Sequence, residues 1–160
     1  MAFERKEIES KKPKTIYWTI LRWYWLIIPT IYFLIIVPSL TEGSNTPMLE
    51  PGDVFNLIFQ MFNYALAGLM TVTAPTERSK SGIADTFLKM VAVQQFLVQN
   101  IFGIVLTVLV WYQLPYKVAP ETVDPEEAEK WHFQPKTIFI LTAVILGLTV
   151  LVIGGQFALR

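Results

Sequence analysis

The chain contains no cysteine. That excludes a disulfide framework, a thiolate nucleophile and a Cys-ligated cluster. It has one histidine, His132. A single imidazole with no second His or Cys is no metal set, even with Glu126, Glu127 and Glu129 close by in sequence. Charged residues make up only 16% of the chain, well under the roughly 25% of soluble domains. None of the thirteen acids falls inside an apolar run; each lies in a tail, a loop or a segment boundary. Proton-coupled carriers and intramembrane hydrolases use a titratable or metal-binding side chain at depth. Neither class finds its usual chemistry here. HExxH, GxSxG and CxxC are also absent. The expectation is therefore a protein that is not an enzyme and holds no metal or other cofactor.

What the chain does have is apolar length. Its 160 residues are 53% hydrophobic and 14% aromatic, with a mean hydropathy of +0.45. Four apolar segments stand out, over residues 16–40, 54–74, 87–114 and 137–159. About 20 apolar residues cross a bilayer core. The expected fold is all-α: a polytopic membrane protein with four transmembrane helices in an antiparallel bundle spanning residues 15–160.

The first segment opens with Tyr17, Trp18, Trp23, Tyr24 and Trp25. Such rings favour the headgroup level, apolar in body and wet at one edge. Arg22 among them reads as a headgroup contact that snorkels to the surface. Pro29 sits mid-span, where it removes a helix hydrogen bond and predicts a kink. The segment is too long for a cleaved signal peptide and lacks a small-x-small cleavage site. The third segment is longer than one crossing requires. In the third loop, Asp124, Pro125, Glu126 and Glu127 carry the marks of a helix start. They predict a short amphipathic interfacial helix that brings Trp131 and Phe133 to the membrane surface.

Basic residues are distributed unevenly. The arm at residues 1–14 carries five, and such a cluster is attracted to anionic lipid rather than read as a nucleic-acid tail. With four crossings, ten basic residues fall on the side of the two termini and the second loop, and three on the side of the third loop. The positive-inside rule then places the arm, and both termini, in the cytoplasm.

The spans also contain amides. Asn56, Gln60 and Asn63 are spaced by four and three, which puts them on one helical face. On the third segment Gln95, Gln99, Gly103 and Thr107 repeat every four residues, with Asn100 beside them. Adjacent segments joined by a short linker pack antiparallel, so the two rows are expected to face each other and exchange hydrogen bonds. They can alternatively serve as a docking surface or line a hydrated path. On the fourth segment Ala143, Gly147 and Gly155 form a small-residue stripe for close helix packing.

Two functions fit these features best. One is a small integral-membrane interaction protein, an accessory, assembly or regulatory subunit of a larger membrane complex. The other is an oligomeric transporter or channel component that uses the amide-lined face of spans 2 and 3. A headgroup-modifying enzyme built on Arg22 and His132 is weaker, for want of a catalytic constellation. Expected partners are the bilayer itself and another membrane subunit or a second copy.

Overall fold

A computed structural model describes residues 15–41 and 51–158. The basic arm, most of the first loop and Arg160 lie outside the described residues. Six helices follow in order: α1 (Thr15–Thr41), α2 (Pro51–Val72), α3 (Ile83–Leu97), α4 (Ile101–Gln113), α5 (Pro125–Ala128) and α6 (Pro135–Ala158). Single 3-10 turns interrupt the loops at Pro75–Glu77 and Pro120–Thr122. No strand occurs among the described residues.

Three helices, α1, α2 and α6, are long and apolar enough to cross a membrane. The fold is thus all-helical and suited to the bilayer. α1 runs on through Pro29 and Pro38. Next to Pro29, the Thr30 hydroxyl donates to the Leu26 carbonyl at 2.6 Å.

The third apolar segment departs from expectation. In place of one helix over 87–114 there are two, α3 and α4, folded back on each other. Their outer ends meet. Lys80 N–H donates to the Pro115 carbonyl at 2.9 Å, and Ser81 N–H to the Tyr116 carbonyl at 3.1 Å. Trp111 Nε1 donates to Asp85 Oδ1 at 2.7 Å. The segment is a helical hairpin with its tip at residues 98–100.

The local reason lies in the tip residues. Gln99 adopts a left-handed backbone with φ of 57°. Asn100 then caps α4, its Oδ1 accepting the Gly103 backbone N–H at 3.0 Å. Asn is among the best N-cap residues because its short side chain reaches an orphan amide of the first turn. At 15 and 13 residues the two helices rise only about 22 and 20 Å. Neither is long enough for a core of about 30 Å.

This hairpin changes the layout of the loops. The Trp18 indole donates to the Met70 carbonyl at 3.2 Å, joining the start of α1 to the end of α2. Phe133 N–H donates to the Val72 carbonyl at 3.0 Å, joining the start of α6 to the same place. Arg78 of the second loop pairs with Glu127 of the third at 2.7 Å. The second and third loops therefore share one end of the bundle, and the expectation that they lie on opposite sides does not hold. A segment that turns back does not change sides. The start of α1 and the end of α6 accordingly sit at opposite ends. Gly155 beside Phe55, near the start of α2, marks the other end.

The short helix expected in the third loop is present as the four residues of α5, with Asp124 as N-cap accepting from Glu126 N–H at 3.0 Å. Trp131 beyond it is exposed, and its ring meets Phe133 edge-on at 4.7 Å.

α3 is the most enclosed element. Ala84, Phe87, Leu88 and Val91 are buried against Trp18, Leu21 and Trp25 of α1, Leu66 and Met70 of α2, and Ile138 of α6. Lipid is as apolar as these side chains, so close packing rather than water exclusion holds this core within the bilayer.

Candidate functional site

Two turns below the Trp18–Phe87 ring contact, the core turns polar. Asn63 lies nine residues before the end of α2. That places it about 13 Å along the helix from the loop end, near the middle of a bilayer core. There it joins a chain of side-chain amides running across three helices to the hairpin tip.

The direction of every bond in the chain follows from one backbone group. The Gly103 N–H can only donate, so Asn100 must turn Oδ1 toward it. Tyr24 of α1 donates to the same oxygen at 2.8 Å. Asn100 Nδ2 is then left to donate to Gln95 Oε1, at 2.5 Å. Gln95 Nε2 in turn donates to Asn63 Oδ1 at 3.1 Å and to Gln94 Oε1 at 2.6 Å. Asn63 Nδ2 ends the line on Gln60 Oε1 at 3.2 Å. Gln95 is fully buried, Gln94 is 2% exposed and Asn63 is 5% exposed.

Polarity set in this way leaves donors over. Gln94 Nε2 is buried without a partner among the described residues, and so is Trp25 Nε1. Both can only donate, so neither can satisfy the other.

Gly103 is required by this arrangement. A Cβ there would collide with Gln95 Oε1 and with the Asn100 amide. Thr107, one turn on, returns its hydroxyl to the Gly103 carbonyl at 2.6 Å.

The residues singled out by spacing are thus divided. Gln60, Asn63, Gln95 and Asn100 come together. Asn56 does not; it is exposed and lies within reach of Tyr32 on α1. Gln99 does not either. The break in the helix turns it outward, exposed, and substitutes Asn100 in the buried row. Spacing missed Gln94 and Tyr24. Gln94 stood next to Gln95 as a second amide, off the four-residue period. Tyr24 was concealed among interfacial aromatics.

The small-residue stripe on α6 also divides. Gly155 faces Phe55 of α2, with 3.9 Å available to a Cβ, whereas Gly147 is exposed with nothing within 4 Å. Ala143 is half-buried. Arg22 is half-buried too, its guanidinium 5.9 Å from the Trp23 ring centre, with no ion-pair partner among the described residues. His132 shares a hydrogen bond with the Glu127 carbonyl at 3.0 Å, and no cluster of metal-ligating side chains occurs among the described residues.

A second polar knot closes the loop end. Arg78 Nε and Nη2 donate to the Thr73 carbonyl at 3.2 and 3.0 Å, and Nη1 meets Glu127 Oε1 at 2.7 Å. Its guanidinium lies 5.4 Å from the Trp18 ring centre. Burial pushes its pKa down, the Glu127 carboxylate pulls it back up, and the Arg22 cation pushes it down again. A cation here also suits the carbonyl end of α2.

The bundle's flanks carry two apolar grooves of about 390 and 400 Å³, one between α2 and α6 and one between α1 and α4. Neither is lined by Asn63, Gln94 or Gln95. The chain matches no family model, no curated protein and no solved structure.

Proposed function

We propose that the chain is an integral-membrane interaction protein, working as an accessory, assembly or regulatory subunit of a larger membrane complex. One observation carries this reading. The buried amides bond one another inside the chain, save the Gln94 Nε2 donor, while Gln99 is left exposed at the hairpin tip, about 22 Å along α3 from the loop end. An amide there has lipid as its only neighbour unless another polypeptide covers it, and lipid offers it no hydrogen bond. Mild-detergent purification tests the proposal. The expected result is a complex of fixed stoichiometry that Gln99→Leu breaks up. A monomer with no partner under every mild detergent would overturn it.

The loop layout supports an orientation. Arg22, Arg78, Lys80, Lys89, Lys117, Lys130 and Lys136 all belong to the end where α1 starts, and no other described residue is basic. By the positive-inside rule this end faces the cytoplasm, and α6 ends on the other side.

A second reading, an oligomeric transporter or channel component, is favoured by the hairpin itself. Broken helices at membrane depth are tolerated where backbone is buried or lines a cavity. The Gln94 Nε2 donor, without a partner among the described residues, would then serve the path. A flux assay in vesicles decides. Flux lost in Gln94→Leu with assembly intact would favour the path over the subunit.

A further inference from the structure

The outer end of the hairpin gathers charge around one ring. Lys80 of the second loop and Lys89 of α3 each hold an ammonium 5.6 Å from the centre of the Trp111 ring, and that of Lys80 lies 5.9 Å from the centre of Tyr112. At such separations the face of an aromatic ring attracts a cation. One carboxylate answers these two charges. Asp85 Oδ2 accepts from Lys89 at 2.7 Å, and Asp85 Oδ1 accepts from the Trp111 indole at 2.7 Å. Both oxygens are engaged. Lys80 lies within electrostatic reach of Asp85 but forms no ion pair among the described residues. The Lys89 side chain stays 59% accessible, and an ammonium carries further N–H groups beyond the one that Asp85 takes. Lys80 is exposed as well. The cluster therefore holds an excess of positive charge, with N–H donors of both lysines left open.

We propose that this cluster binds the phosphate of an anionic membrane lipid, bridged between Lys80 and Lys89. The site stands apart from the subunit reading. Its level is that of the headgroups. Trp111 lies in the last turn of α4, and Tyr112, Tyr116 and Trp131, exposed aromatic side chains with polar tips, stand at the same end of the bundle. Such residues collect where lipid meets water. Phosphates are the anions found at that level. A phosphate offers oxygens to donors of both lysines, in short charge-assisted hydrogen bonds, and supplies the negative charge that the cluster lacks. The acyl chain has a track beneath it. Val105, Val108, Leu109 and Tyr112 are exposed along one face of α4, running from Lys80 toward the hairpin tip. A zwitterionic lipid brings the same phosphate together with a cation of its own, which the lysines repel. The site should therefore select net negative lipids.

The test titrates the full-length chain, in a neutral detergent, with phosphatidylglycerol and follows retention by native mass spectrometry. One lipid held per chain is expected, at a concentration several-fold lower than phosphatidylcholine requires. Lys80→Gln and Lys89→Gln should each weaken binding about five-fold, the usual contribution of one lysine near anionic lipid. Lys130→Gln removes the same charge from an exposed position at the same end and should leave binding unchanged. Asp85→Asn should tighten it, because the cluster then loses its carboxylate; a variant that merely loosened the fold would not. Equal weakening by Lys130→Gln would mean attraction to overall charge alone and overturns the site. Equal retention of the two lipids overturns the selection of net negative headgroups. Displacement of phosphatidylglycerol by millimolar inorganic phosphate overturns a lipid as the source of the group. A co-purified protein that shields both lysines from an amine reagent, with no lipid bound, overturns lipid as the occupant.

Discussion

Asn100 Nδ2 donates to Gln95 Oε1 while Asn100 Oδ1 receives the Gly103 backbone N–H, so one side chain both starts α4 and sets the direction of the buried amide chain. The hairpin turn and the polar core are therefore one structure. Whatever disturbs the turn disturbs the core, which makes the arrangement open to attack at single positions.

Gly103→Ala is the smallest such attack. The added methyl group meets Gln95 Oε1 and the Asn100 amide. Overpacking of this kind costs about 1–3 kcal/mol. A lowered thermal midpoint in detergent is expected, larger than for Gly147→Ala, where the methyl group has open space. Equal midpoints would contradict the crowding described.

Gln95→Leu should be worse than Gln60→Leu. Removing Gln95 orphans Asn63 Oδ1, Gln94 Oε1 and Asn100 Nδ2 together, whereas removing Gln60 orphans only one N–H, that of Asn63. Each buried orphan costs about 1–3 kcal/mol, while interhelical amide bonds in membranes average only about 0.6 kcal/mol. The two variants should therefore separate clearly in equilibrium unfolding. A smaller loss for Gln95→Leu would mean the amides are not in this order.

Glu127→Ala leaves the Arg78 guanidinium buried on the Thr73 carbonyl without its carboxylate. Glu127 is partly exposed, with 32% of its side chain accessible. That reduces the loss below the 3–5 kcal/mol of a fully buried pair, to about 1–3 kcal/mol. A double-mutant cycle with Arg78→Ala measures the coupling between the second and third loops. Strict additivity would show that the ion pair contributes nothing.

The shared loop end is testable by side. Single cysteines at Lys80 and Lys130 should react with an impermeant reagent from the same side of sealed vesicles. A reporter on the C-terminus should be active on the opposite side. Reaction of the two from opposite sides would restore a four-crossing chain.

The long apolar helices were legible because length and hydropathy are local properties, summed over a run. The Asn63–Gln95 contact could be anticipated because both residues keep their period whether or not the third segment breaks before Gln99. Gln99 was misplaced because the four-residue period from Gln95 to Thr107 presupposes an unbroken helix. The hints were the excess length of the segment and the sequence Asn100-Ile-Phe-Gly103, an N-cap followed by the one residue small enough for the amides above it. Neither hint is stronger than the apolar run that surrounds it, so only the packed structure decides. The same break bears on the loops, because a hairpin, unlike one long helix, returns the chain to the end of the bundle it left.

The enclosed position of α3 implies an order of events as the protein is made. With Asp85, Lys89, Gln94 and Gln95 along its 15 residues, α3 would enter lipid poorly by itself. Its amides find their first outside partner on Asn63, a residue of the helix synthesised before it. The hairpin must then enter between neighbours already in place, with α6 closing over it last. A nascent chain stalled before α6 would keep its hairpin accessible to protease, and one released with α6 would not.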